Sequence, residues 1–189
     1  ANPYITSFGS IPEYQSTFGV LHANILISVS QASETLCILL IPFFFSRFGI
    51  KKMVLIALLS WMLRFGFFAM GNPGEGVWFL LLSMVVYGVA FDFFNISGSL
   101  FINQETDERI RSSAQGLFMM MTNGFGAFVG TLLAQALVNY YVFTPQKAGM
   151  PAEGIIAGWQ TCWYIFAAYA LVVAIMFALL FHDKPVKNR

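Results

Sequence analysis

From Ser112 to Gln146 the chain carries no Asp, Glu, Lys or Arg. Wound as one helix, that run would be about 52 Å long. A bilayer's hydrocarbon core is only about 30 Å thick, so the run must tilt, kink or leave the membrane before its end. Most of the rest is nearly as poor in charge, and the gaps between charge clusters divide it into five candidate spans. They cover about 18–46, 50–71, 76–103, 111–140 and 153–181, each holding the roughly 20 mostly apolar residues a spanning helix needs. Turn signals fall between them. Gly71-Asn72-Pro73-Gly74 is one, Pro145 and Pro151 bracket a polar loop, and Pro185 follows the last span.

Composition leaves little else open. Of 189 residues 58% are apolar and only 10% charged, with a mean hydropathy of +0.70, whereas a soluble domain carries about 25% charged residues. A soluble enzyme, a nucleic-acid-binding module and a disordered tail are excluded on that ground. The net charge of +1 favours no charged partner, and Cys37 and Cys162 lie in apolar stretches that imply no disulfide framework. The fold class expected is an all-α integral membrane protein of five transmembrane helices, with the lipid bilayer as its solvent.

Orientation follows from Lys and Arg alone. Arg47, Lys51, Lys52, Arg109, Arg111, Lys184, Lys187 and Arg189 fall on one side, and only Lys147 on the other. Residues 1–17 are therefore expected as an external loop, and 182–189 as a cytoplasmic tail. An odd number of spans with an external start calls for a preceding span or a cleaved signal. The opening Ala1-Asn2-Pro3-Tyr4 has no initiator Met, basic region or apolar region, so the expectation is an excerpt whose N-terminal partner half is missing.

Away from the span ends, three charges fall inside the spans: Glu34, Arg64 and Asp92. Each costs about 2.5–3.5 kcal/mol on insertion scales. Counted from the cytoplasmic ends, Glu34 and Asp92 sit about 16 Å up and Arg64 about 21 Å up, near the midplane where transporter sites lie. The bland reading is a structural ion pair, most simply Arg64 with Asp92. Two carboxylates facing one arginine leave one acid over. That acid must be protonated, matched by a cation, or paired with a basic group outside this chain. An isolated acid in low dielectric favours its neutral form, the physical requirement for proton coupling.

The neighbours sharpen this reading. Gln31 and Glu34 are three apart and share a helix face, flanked by Ser30, Ser33 and Thr35. The choice there is between interhelical hydrogen bonding and a face turned to a ligand. Tyr87 and Phe91 are four apart and stack on one face, with Asn95 nearly in line and Asp92 rotated by about 100°. Gly126 and Gly130 have the G-x-x-x-G spacing that lets helices approach or bend. Asn95-Ile96-Ser97 is a glycosylation sequon voided by its place in a span, and His22 and His182 have no ligand-spaced partner. No H-E-x-x-H, C-x-x-C, G-x-S-x-G or Walker A pattern occurs. No enzyme, metal or cofactor is expected.

Several stretches resemble a known family. Ser46-Arg47-Phe48-Gly49-Ile50-Lys51-Lys52 is similar to the basic signature loop of the major facilitator superfamily, D-R-x-G-R-R, with Ser46 in place of its acid. Ser30-Gln31-Ala32-Ser33-Glu34-Thr35-Leu36, the run from Tyr87 to Ser99, and Thr122-Asn123-Gly124-Phe125-Gly126 closely resemble the bacterial nucleoside:proton symporters of that superfamily. The similarity runs in order from about Ile27 to Phe181. It implies that the five spans are helices eight to twelve of a twelve-helix transporter of the bacterial inner membrane, with a nucleoside and protons as partners. It also implies that Gln31 and Glu34 contact the nucleoside, that Tyr87 and Phe91 line the site around the base, and that Asp92 is the candidate for proton coupling. A sugar:proton symporter, or a non-transporting scaffold or receptor, remains the alternative.

Overall fold

A computed structural model describes residues 2–182, and every regular element among them is helical. Two short helices, α1 (Asn2–Ser7) and α2 (Phe18–Leu21), precede four long ones: α3 (Ala23–Met70), α4 (Val77–Glu105), α5 (Arg111–Lys147) and α6 (Ala152–Leu180). Each of the four is long and apolar enough to cross a membrane. Their outward faces are apolar too: Leu39 is 72% exposed and Leu133 68%, a surface suited to lipid and not to water.

At 48 residues, or about 72 Å, α3 is too long for one crossing. Gly49 divides it. With φ 71° and ψ 176°, this residue adopts a conformation essentially confined to glycine, and it turns the helix into two limbs within one residue. The basic stretch from Ser46 to Lys52, read as a loop, is helical on both sides of that point. Between α3 and α4 the turn is closed by Asn72, whose Oδ1 accepts hydrogen bonds from the Gly74 and Gly76 backbone N–H groups at 3.0 Å each.

The stretch 1–17, expected as an external loop, contains α1, and one face of α1 is buried. Pro3 suits a first helical turn, and the apolar side chains that follow face inward: Tyr4 and Ile5 are fully buried and Phe8 nearly so. The Tyr4 hydroxyl lies 2.8 Å from the carbonyl oxygens of both Phe68 and Gly71, sharing its proton between them. Its ring packs among Phe8, Phe68, Trp159 and Trp163 at centroid distances of 5.2–6.0 Å. The segment is too short to register as a span, yet it anchors one end of the bundle. Of the tail 182–189, all but His182 lies outside the described residues.

The charge-free run from Ser112 to Gln146 stays helical throughout α5. It changes its winding twice, becoming π-helical at Met120–Gly126 and Asn139–Phe143. No residue of Arg111–Met119 or Met120–Gly126 is buried, so this part of α5 lies along the outside of the bundle. Gln115 ties its start to α4, donating through Nε2 to the Ser99 carbonyl at 2.7 Å and accepting from the Ser99 hydroxyl at 3.0 Å. Both cysteines are free and buried.

Candidate transport site

The site is assembled where the first limb of α3, its second limb and α4 pass one another. At Ser33 the first limb of α3 packs tightly against α4. The Ser33 hydroxyl donates to the Val85 carbonyl, and Gly88 lies directly against it: a Cβ at position 88 would stand 2.6 Å from Ser33 C and Oγ. Only a residue without a side chain permits that approach. The crossing brings a chain neighbour of each contact residue into one neighbourhood, Glu34 after Ser33 on α3 and Tyr87 before Gly88 on α4.

Tyr87 and Phe91 stack as their spacing predicts, with centroids 5.6 Å apart and planes at 29°. From the second limb, Arg64 places its guanidinium 3.9 Å from the Tyr87 ring centroid, well within cation–π range. Trp61, one turn before Arg64, meets Tyr87 edge-on at 5.7 Å. Glu34 is half-buried and lies within electrostatic reach of Arg64, Tyr87 and Asp92. Asp92 is 6% exposed, and its Oδ2 has no hydrogen-bond partner. Asn95 donates from Nδ2 to the Phe91 carbonyl at 2.9 Å, a bond within its own helix. Gln31 is exposed one turn from Glu34.

Glu34, Arg64, Tyr87 and Phe91 thus come together around one ring stack, with Asp92 buried beside them and Gln31 at the exposed edge. The ion pair entertained between Arg64 and Asp92 is not formed: among the described residues each keeps a buried polar atom without a partner, Nη1 and Oδ2. Arg64 instead sets its guanidinium over the Tyr87 ring. Sequence reasoning missed Trp61 and the crossing role of Ser33. Trp61 stands three residues before Arg64, a spacing that signals a shared face. Nothing in the sequence pairs Ser33 with Gly88. No group of three or more His, Cys, Asp or Glu that could hold a metal occurs among the described residues.

Long apolar helices packed around buried charges and stacked aromatic rings define a multi-pass membrane transporter bundle. The comparisons with known proteins agree. The family model for the nucleoside H+ symporters matches residues 1–185, and the chain belongs to that family. It is 49% identical over 193 residues to the xanthosine permease of Escherichia coli strain K12, covering 100% of this chain and 44% of the relative. It is 48% identical to the nucleoside permease NupG of the same organism, covering 98% of this chain and 42% of that one. A crystal structure of the nucleoside transporter NupG superposes with a TM-score of 0.86 at 48% identity, over 97% of this chain and 43% of that chain. The chain therefore spans less than half the length of these relatives, and its fold is that of part of a major facilitator transporter. The family is one of transporters and not of enzymes.

Proposed function

We propose that this chain supplies helices eight to twelve of a proton-coupled nucleoside transporter that works by alternating access in the bacterial inner membrane. The C-terminus and residues 104–111 face the cytoplasm, and 140–152 faces outside. The observation that carries the reading is the grouping of Glu34, Tyr87, Phe91 and Asp92 at one helix crossing. A nucleoside offers a flat base for the Tyr87–Phe91 stack and ribose hydroxyls for Gln31 and Glu34. Asp92, buried with an unsatisfied carboxylate oxygen, takes and releases the coupled proton. The site is completed by groups from the half of the transporter outside this chain, and the names of the relatives, permeases for xanthosine and for nucleosides, support the substrate class.

The test is uptake by the whole transporter in proteoliposomes. An inward proton gradient should concentrate radiolabelled uridine or adenosine, a protonophore should abolish accumulation, and excess unlabelled nucleoside should compete where a hexose does not. Accumulation insensitive to the proton gradient, or inhibition by the hexose, would overturn the assignment.

A further inference from the structure

Arg64 grips α4 twice. Its guanidinium lies over the Tyr87 ring, while its own backbone carbonyl accepts the Ser83 hydroxyl at 3.2 Å. Ser83 is fully buried and stands four residues before Tyr87, one turn along the same face. One residue of the second limb of α3 therefore fixes α4 at two successive turns. The guanidinium is not shared evenly among the rings around it: it stands 3.9 Å from Tyr87 but 5.5 Å from Phe68 and 5.8 Å from Trp61. Its Nη1 is buried without a partner, so no carboxylate holds it by that nitrogen and the aromatic face takes the place of a counter-ion. Glu34 faces it only at longer electrostatic range. Between Arg64 over its face, Trp61 packed at a steep angle to it and Phe91 stacked beside it, the Tyr87 ring has little room to rotate.

We infer that Arg64 is a positioning residue for the base-stacking platform: by lying over the Tyr87 ring it fixes the ring pair Tyr87–Phe91 in the orientation that receives a nucleobase. The inference rests on the proposed nucleoside site. Arg64 acts through Tyr87, the ring its guanidinium covers at 3.9 Å. The role calls for arginine, because a planar guanidinium can stack on a ring where a lysine keeps only the charge.

A double-mutant cycle on the whole transporter decides it. Binding and saturable transport of uridine and adenosine are measured for wild type, Arg64→Met, Arg64→Lys, Tyr87→Leu and the double variants, each checked for a monodisperse folded preparation. Loss of the desolvated cation–π contact should weaken nucleoside affinity about tenfold in Arg64→Met, with the maximal transport rate within about twofold of wild type. Arg64→Lys should lose nearly as much. In the Tyr87→Leu background, removing Arg64 should cost less than about twofold, because the ring it orients is gone. Equal losses in both backgrounds, or wild-type affinity in Arg64→Lys, would overturn the inference. Where Arg64→Met fails to fold, Arg64→Lys with its double variant completes the cycle. Unchanged affinity in Tyr87→Leu would instead overturn the nucleoside-site reading on which the inference stands.

Discussion

Ser33 and Gly88 occupy the same space at the crossing of α3 and α4: the serine hydroxyl reaches past the glycine to the Val85 carbonyl, and the glycine's missing side chain is what lets it. The two contributions are unequal. An interhelical hydroxyl bond in a membrane protein is worth about 0.6–1.7 kcal/mol, whereas forcing a methyl into a packed contact costs about 1–3 kcal/mol and moves the backbone. Gly88→Ala should therefore lower the thermal stability of the detergent-solubilised transporter more than Ser33→Ala does. It should also weaken nucleoside binding, since Glu34 and Tyr87 flank the contact. A Gly88→Ala variant as stable as Ser33→Ala would show that the helices can part there at no cost.

Phe91 tests the stacking role. A base on an aromatic ring is worth about 1–3 kcal/mol by alanine substitution, or roughly ten- to a hundredfold in affinity. Phe91→Ala should weaken nucleoside binding by that factor, and Phe91→Tyr or Phe91→Trp should lose less. Unchanged affinity in Phe91→Ala, measured at matched folding, returns the residue to ordinary helix packing.

Glu34 tests the ribose role separately. Glu34→Gln should weaken binding of uridine more than that of its 2′,3′-dideoxy analogue, because only the intact ribose uses both carboxylate oxygens. Equal losses for the two ligands would remove the ribose assignment.

For Asp92 the informative change is to asparagine, which keeps the shape and cannot titrate. Asp92→Asn should abolish proton-driven accumulation while substrate exchange across the membrane partly survives. Concentrative uptake with an unaltered dependence on the proton gradient would transfer coupling to Glu34 or to a group outside this chain.

Topology is open to direct labelling. In a background lacking Cys37 and Cys162, single cysteines at Asp107 and Lys147, both exposed, should react with an impermeant maleimide from opposite sides of the membrane. Reaction of both in intact cells would contradict the orientation read from the basic residues.

The long helices could be read from charge spacing because lipid tolerates so few ions that their absence marks a span. The ring pair Tyr87–Phe91 was legible for a local reason as well, since a four-residue spacing dictates contact on a helix. What failed to show was whatever depends on a second element. The distance from Arg64 to each helix end gives its depth, but whether it meets a carboxylate or a ring depends on how α3 turns at Gly49. The burial of Tyr4 was hidden similarly, because its partners Phe68, Gly71, Trp159 and Trp163 lie far along the chain. Gly49 itself sat inside a stretch whose basic residues suggested a loop, while the backbone needed only one glycine to reverse.

The two π-helical stretches of α5 change what a residue number means along that helix. Each adds length to the turn, so the angular position of a side chain beyond Met120–Gly126 no longer follows from 100° per residue counted from Arg111. A mutational scan through α5 should show its periodic pattern slip in phase at both places. The same surplus gives the helix slack: deletion of one residue within either stretch can be absorbed by rewinding to α geometry, leaving the faces beyond it in register. Helix α4, wound without such surplus, has no equivalent reserve, and one residue removed there would turn Tyr87 and Phe91 away from Arg64. Length variation among related transporters should accordingly be tolerated in α5 and excluded from α4.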